Sequence, residues 1–441
     1  MGGHEAGDTD GTAGAGGGSR AAGGATVGVE EEFLLVDALS GASVPRAGQV
    51  LAAAGEHPWR ASGGGFHPEL LASQVEAATG VCGDLAVLRA QLRDGRARLA
   101  AAARAAGARL VSAGAPVLDG PPPPVAPGDR FAAVRGAYGE VVADYQACGC
   151  HVHVGVPDRE TAVQVVNHLR PWLPTLAALA VNSPFGRGRA GSFAGRRIVE
   201  MWRFPGAGVP PFAASAAEHD GRVAALVEAG ALVDGAMTFW LARPSPRWPT
   251  VEVRAADAAA TADEAVLQAA LSRGLVGAAL RDLAAGREAP RVDAQVCAAA
   301  LWSAARHGMR GHALDPFTRR RVPPWRMVED LLARARPALA EAGDLDTVRA
   351  LLAGVRRAGT GADRQRRAAG RGGPRAVVEM LARHTESGVL PGVPEVSGGA
   401  ARGPGGGPSR APQAAPGEEQ GVWDARERVP QPDTHVTTED A

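Results

Sequence analysis

Lysine is missing altogether from the 441 residues, so all 47 basic side chains are arginine. That excludes a Schiff-base lysine, a lysine phosphate clamp and a carbamylated metal bridge. Isoleucine occurs once and asparagine twice, while Ala, Gly, Arg and Pro abound, as in proteins of GC-rich genomes. Neither sign of charge is in excess: 47 acidic residues balance 47 basic ones, and nothing favours nucleic acid or an anionic membrane as partner. The four cysteines (Cys82, Cys148, Cys150, Cys297) are too few and too scattered for a disulfide scaffold. Cys148-Gly149-Cys150 lacks the spacing and the second pair of a zinc site, so reduced, semi-buried thiols are expected. No basic segment leads into an apolar run at the start, and no apolar run approaches membrane-spanning length. A cytoplasmic protein is expected. The P-loop, G-x-S-x-G and H-E-x-x-H signatures are absent as well.

Hydrophobic residues make up 45% of the chain, enough for one large domain or two ordinary ones. Residues 1–24 are Gly/Ala-rich and aperiodic, and read as disordered. Residues 387–441, rich in Pro, Gly, Glu and Gln, read as a flexible tail. One folded region, 25–386, lies between them. Asp84 caps a helix whose stripe includes Leu85, Leu88, Leu92 and Leu99, with Gly107 as its stop. Residues 109–113 read as a short strand, and 120–128, with four consecutive prolines, as a loop. Helices are expected from Asp158 to Leu169, from Asp263 to Ala285, twice within 324–358, and from Arg375 to Thr385. Strands and helices mix without a βαβ rhythm, which points to α+β.

Side chains alternate faces along a strand. In the strand candidate 26–36, Glu30 and Glu32 therefore share a face. In 150–154, His151 and His153 share one; in 250–254, Glu252 and Arg254 do. Each segment has valines on its other side. A sheet built this way has an apolar face for the core and a polar face lined with oxygen and nitrogen ligands for hard divalent cations. Burying carboxylates without partners costs several kcal/mol each, which a metal would resolve; a solvated charge run is the plainer alternative. Glu69 and Glu76 are seven apart, so one straight strand cannot aim both the same way, though a turn or short helix entering a strand could. Glu252 and Arg254 also suit a simple ion pair. The segment 183–197 carries Arg187, Arg189, Arg196 and Arg197 and reads as an anion-collecting loop, with Arg203 shortly after it.

Several of these segments, in this order, resemble the glutamate–cysteine ligase type 2 family, in its carboxylate–amine ligase subfamily. They are Val27-Gly28-Val29-Glu30-Glu31-Glu32-Phe33, Ser73-Gln74-Val75-Glu76-Ala77-Ala78-Thr79-Gly80, Cys150-His151-Val152-His153-Val154-Gly155, Arg170-Pro171-Trp172-Leu173-Pro174, Asn182-Ser183-Pro184-Phe185 and Pro249-Thr250-Val251-Glu252-Val253-Arg254. The resemblance covers roughly residues 25–385. It implies a fold related to glutamine synthetase: a curved antiparallel sheet with helices outside, holding ATP and Mg²⁺ (or Mn²⁺). By position it implies Glu30, Glu32, Glu69, Glu76, His151 and Glu252 as metal ligands and His153 beside the nucleotide. It also implies Arg254, with Arg197 or Arg203, on the transferred phosphoryl group. The expected activity is ATP-dependent joining of a glutamate-like carboxylate to a cysteine-like amine through an acyl phosphate, with a homo-oligomer left open. The stretch Trp202-Arg203-Phe204-Pro205 departs from the family's usual Trp-x-Arg-Trp-Pro, which leaves amino-acid choice open. A metal-dependent hydrolase of the amidohydrolase kind would also carry H-x-H on a strand, but would want more histidines and a β/α-barrel rhythm. A catalytically silent small-molecule binder is the third reading.

Overall fold

The computed structural model describes residues 26–186 and 188–393. The expectations for residues 1–24, for 394–441 and for Arg187 lie outside them.

Strand β1 (Val27–Asp37) sets the architecture. Val27, Val29, Glu31 and Phe33 are buried, while Gly28, Glu30 and Glu32 between them are half-buried. Three later strands pair with it, β3 (Gln74–Ala78), β4 (Ala108–Val111) and β5 (Gly149–Gly155), and β2 (Gly65–Pro68) pairs with β3. A two-residue hairpin, β6 (Phe185–Gly186) with β7 (Arg189–Ala190), stands apart, and β8 (Ala242–Pro244) and β9 (Thr250–Asp257) complete the main sheet. The order is β2-β3-β1-β5-β9-β8, with β4 beside the far end of β1, and every pairing is antiparallel. The fold is α+β as expected. An antiparallel sheet does not suit the barrel of parallel strands that the hydrolase reading requires.

One face of the sheet carries Val27, Val29, Cys150, Val152, Val154, Val251 and Val253. They pack into one core with Leu169, Leu176, Val266 and Ala269 from helices Arg159–Leu169, Leu173–Leu179 and Ala262–Ala284. Burying one such valine contributes about 1.5–3 kcal/mol. A one-residue slip of β1 would forfeit that and bury the carboxylates instead, so the valines fix the direction of Glu30 and Glu32.

The expected helices form. Asp84 accepts hydrogen bonds from the Ala86 and Val87 N–H groups at 2.6 and 3.1 Å and starts Leu85–Ala105. The 324–358 region divides into Pro324–Glu341 and Leu345–Ala358. Three features differ. A further helical segment from Gly361 precedes the expected last helix, which follows a break at Gly372 and Gly373, where Gly373 has φ 67°. Part of the 183–197 loop is ordered: β6 and β7 pair, and helix Arg196–Met201 begins inside it. All four cysteines are free and fully buried rather than semi-buried. Among the described residues no helix is long and apolar enough to cross a membrane.

The packed chain also runs past 386. Leu390 is fully buried, its N–H donates to Asp263 Oδ2 at 3.0 Å, and Asp263 N–H donates to the Gly388 carbonyl. A chain ending at 386 is therefore expected to lose about 1.5–3 kcal/mol of stability, the burial of one leucine. One ending at 393 should keep it. Urea unfolding of both checks this, and equal midpoints would show that Leu390 contributes nothing.

Candidate active site

Directly paired residues of antiparallel strands share a face. Glu30 pairs with His151, Glu32 with Glu76, His153 with Glu252, and Glu252 with Arg243. These side chains line the polar face across five adjacent strands. A register shift between Cys150 and Val152 interrupts the β5–β9 ladder at His151. Arg254 Nη1 there lies 3.4 Å from His151 Nδ1 and bonds Glu252 Oε1. The odd spacing of Glu69 and Glu76 is resolved by a hairpin: Glu69 follows β2 and Glu76 lies in β3.

Two ligand groups result, each with its donor atoms within 4.8 Å of one another: Glu32, Glu69 and Glu76, and Glu30, His153 and Glu252. The imidazole that completes the second group is His153, which the resemblance had placed beside the nucleotide. Its Nε2 is 3.3 Å from Glu30 Oε1, and Thr250 Oγ1 orients the ring from 2.9 Å at Nδ1. His151 stands between the groups, with Nδ1 3.6 Å from Glu30 Oε2 and Nε2 3.6 Å from Glu32 Oε1.

The two groups differ electrostatically. Burial works to raise the Glu252 pKa, but the Arg243 and Arg254 charges hold it well below the usual range. Burial likewise opposes ionisation of Glu30, and hydrogen bonds from His151 and His153 overcome it. His151 is pushed down by burial and by the Arg254 charge. His153 is raised despite burial, through its hydrogen bond to Glu30. On the other side the Leu70 N–H and the Arg254 charge favour ionised Glu69 but do not offset its burial. Burial, then the neighbouring Glu32, pushes Glu69 up to about 8. Burial, then Glu30 and Glu69, pushes Glu76 well above the carboxylate range. Three crowded carboxylates short of positive charge are the donor set of a hard divalent cation such as Mg²⁺ or Mn²⁺. The residues fit that ion.

This has a measurable consequence. Glu69 binds its proton more tightly folded, at about 8, than at its ordinary 4.5. Its contribution to stability is complete below about pH 4.5 and lost as pH rises through about 8. Glu76 acts in the same direction. In EDTA the melting temperature should fall between about pH 4.5 and 8, and Mg²⁺ should remove that fall. A metal-free melting temperature that rises over this range would refute the assignment.

Of the three arginines named from sequence, Arg254 and Arg197 reach the polar face. Arg197 is buried, with Nη2 3.4 Å from His151 Nε2 and Nη1 3.2 Å from the Arg254 carbonyl. Arg203 does not join them; it pairs with Asp144 and Glu200. Arg196 pairs with Glu200 at 2.9 Å, and Arg189 is exposed.

Three features escaped the sequence reading. Arg243, on the short edge strand β8, bonds Glu252 at 2.7 Å, and no local pattern announces it. The Gly149 N–H donates to Glu32 Oε2 at 2.5 Å, which only the fold could show. Glu31 points to the core face, where Arg96 clasps it through Nε at 2.9 Å and Nη2 at 2.6 Å. Arg96 does carry a signal: it falls four residues after Leu92 and three before Leu99, on the buried stripe of its helix.

The model of Glutamate-cysteine ligase family 2 matches residues 26–386. A provisionally named glutamate–cysteine ligase 2-2 of Saccharopolyspora erythraea is 57% identical over 366 residues, 83% of this chain and 94% of that protein. A provisionally named glutamate–cysteine ligase 2 of Salinispora arenicola is 44% identical, covering 82% of this chain and 95% of that protein. The fold is similar to a crystal structure of glutamate–cysteine ligase from Francisella tularensis in complex with AMP, with TM-score 0.61 and 13% identity over 83% of this chain and 90% of that one.

Proposed function

Since the chain belongs to glutamate–cysteine ligase family 2, it is an ATP-dependent carboxylate–amine ligase, and we propose that the polar face of the β2–β8 sheet is where its chemistry occurs. The observation that carries this is the pairing of two acidic ligand groups with the buried guanidiniums of Arg197 and Arg243 and the half-buried one of Arg254 on one face. Glu32, Glu69 and Glu76 would hold one Mg²⁺ or Mn²⁺, and Glu30, His153 and Glu252 a second. Such ions neutralise the β- and γ-phosphates of bound ATP.

The chain's own groups do the rest. Arg254 is fixed in its charged form because the surrounding carboxylates, Glu252 first, outweigh its burial. Its guanidinium, with that of Arg197, is positioned to bear on the phosphoryl group in flight. A carboxylate oxygen of the first substrate attacks the γ-phosphorus, the bond to the β-phosphate oxygen breaks, and ADP leaves. The amine nitrogen then attacks the acyl carbon, loses a proton and expels phosphate, which leaves the amide. Arg243 holds Glu252 ionised and in place from behind. Glutamate and cysteine, in the names of the relatives, are the first substrate pair to try. Four free thiols and a need for ATP suit a cytoplasmic setting.

An ADP-release assay over pairs of amino acids and amines tests this. The expected result is release that needs Mg²⁺ or Mn²⁺, stops in EDTA and accompanies an amide product. Calorimetry giving equal ATP affinity with and without metal would overturn the metal assignment.

A further inference from the structure

Asn182 and Ser183 belong to neither ligand group, yet a buried chain of hydrogen bonds joins them to Arg197. The Ser183 Oγ accepts from the Arg197 N–H at 3.0 Å and donates to Asp257 Oδ2 at 2.6 Å. The same carboxylate oxygen accepts from the Asn182 N–H at 2.8 Å. The Ser183 carbonyl accepts from the Arg196 N–H at 3.0 Å, so this one residue pins the start of the helix twice. Asn182, Ser183, Arg197 and Asp257 are all buried. Their surroundings are fitted to them. A Cβ at Gly114 would lie 2.6 Å from the Asp257 Cγ, and one at Gly149 would run into the Arg197 guanidinium. Asn182 is held in turn: its side-chain amide donates to the Ser112 and Ala258 carbonyls at 3.0 and 2.8 Å, and Gln365 Nε2 donates to its Oδ1 at 2.7 Å. Asp257 ends β9, the strand that also carries Glu252 and Arg254, and it pairs there with Gly149. The end of a site strand thus reaches the backbone of Arg197 through one hydroxyl.

We infer that Ser183 and Asp257 are positioning residues for the ligase reaction, which aim Arg197 at the phosphoryl group without occupying its guanidinium. Arg197 makes no ion pair among the described residues; its guanidinium meets His151 Nε2 and the Arg254 carbonyl. A carboxylate in direct contact would take the paired donors that a phosphoryl oxygen needs. Asp257 avoids this by spending its hydrogen bonds on the Ser183 hydroxyl and the Asn182 N–H. Its Oδ1 is buried with no hydrogen-bond partner. Burial raises the Asp257 pKa, and the Arg197 charge works against that rise, so each charge favours the other from a distance. Such aim matters, because displacing a positioned group by about 1 Å can cost about 10²-fold in rate. The inference rests on the ligase reading and names what makes Arg197 effective within it.

Ser183→Ala removes one oxygen and adds nothing, so it should fold. With Mg²⁺, ATP, L-glutamate and L-cysteine it should lower kcat for ADP release about tenfold and leave both amino-acid KM values within about twofold, because Arg197 acts on the group in flight. Asp257→Asn keeps the shape without the charge and should do the same. The decisive measurement repeats Ser183→Ala in an Arg197→Met background. There it should cost less than about twofold, since the side chain it positions is gone. An equal loss in both backgrounds would overturn the inference and leave Ser183 as part of the frame alone. Unchanged kcat in the single Ser183→Ala variant would overturn it as well. Crystal structures of the unaltered protein and of Ser183→Ala give a readout that needs no turnover. The Arg197 guanidinium should shift by about 1 Å or more relative to the Arg254 carbonyl. If the unaltered protein releases no ADP, the ligase reading fails with this substrate pair and the crystal comparison decides the positioning. It decides also if Arg197→Met does not fold. An Arg197 side chain in the same place in both crystals would sink the proposal.

Discussion

Glu76→Gln should lower turnover by about 10²-fold or more, the scale of lost transition-state electrostatics. It should also raise the melting temperature of the metal-free protein. Both effects follow from the same environment. The carboxylate is pushed well above its ordinary pKa by burial and by Glu30 and Glu69, so its charge is a cost to the empty fold. The amide keeps the shape without that cost and supplies a poorer cation ligand. Glu30→Gln makes the instructive contrast. It should cost comparable turnover but lower stability, because His151 and His153 hold the Glu30 charge favourably. Turnover and metal-free melting temperature, measured side by side, decide the matter. Near-normal turnover in Glu76→Gln, or melting shifts of the same sign in both variants, would return these acids to a structural role.

Replacing Glu31 or Arg96 by alanine should destabilise the protein by about 3–5 kcal/mol, the penalty for stranding one buried charge. Both side chains are 1% exposed. Arg96 also donates to the Ala259 carbonyl at 2.7 Å and lies 5.5 Å over the Phe33 ring, so its removal strands more than one group. The double change Glu31→Leu with Arg96→Met should recover most of the loss, since no charge is then left unpaired. Folded molecules of every variant should keep their metal dependence, because this pair faces away from the site. Denaturant unfolding and an EDTA titration separate the two readouts. Lost metal dependence in a folded Glu31 variant would place that residue in the site instead.

Period-two alternation in Val27–Glu32 and Cys150–Val154 announced both the strands and their polar side, because valine burial enforces the register. The closeness of Glu69 to Glu32 could not be read locally, since a hairpin between β2 and β3 creates it. Arg203 looked like a site residue by proximity in sequence to Arg197. The helix that carries Arg197 ends at Met201, and Arg203 lies in the turn beyond it, held by Asp144 about sixty residues upstream. The choice between His151 and His153 turned on cross-strand neighbours and a bulge, which no spacing rule conveys. Leu390 was hidden by the composition around it: a lone leucine among glycine and proline looks like tail until its pocket is seen.

The order in which the sheet is written along the chain bears on how the protein comes into being. β1 and β3 follow one another within the first eighty residues, and they bring Glu30, Glu32 and Glu76 together early. β9 arrives much later: His153 and its partner Thr250 are separated by 97 positions. Closing so long a loop is entropically costly and slow. During synthesis the acid-rich half therefore exists before Arg243, Glu252 and Arg254 have left the ribosome. Until they arrive, the nascent carboxylates must remain protonated, hydrated or loaded with cation, and the ionic composition of the compartment becomes a folding condition as well as a catalytic one.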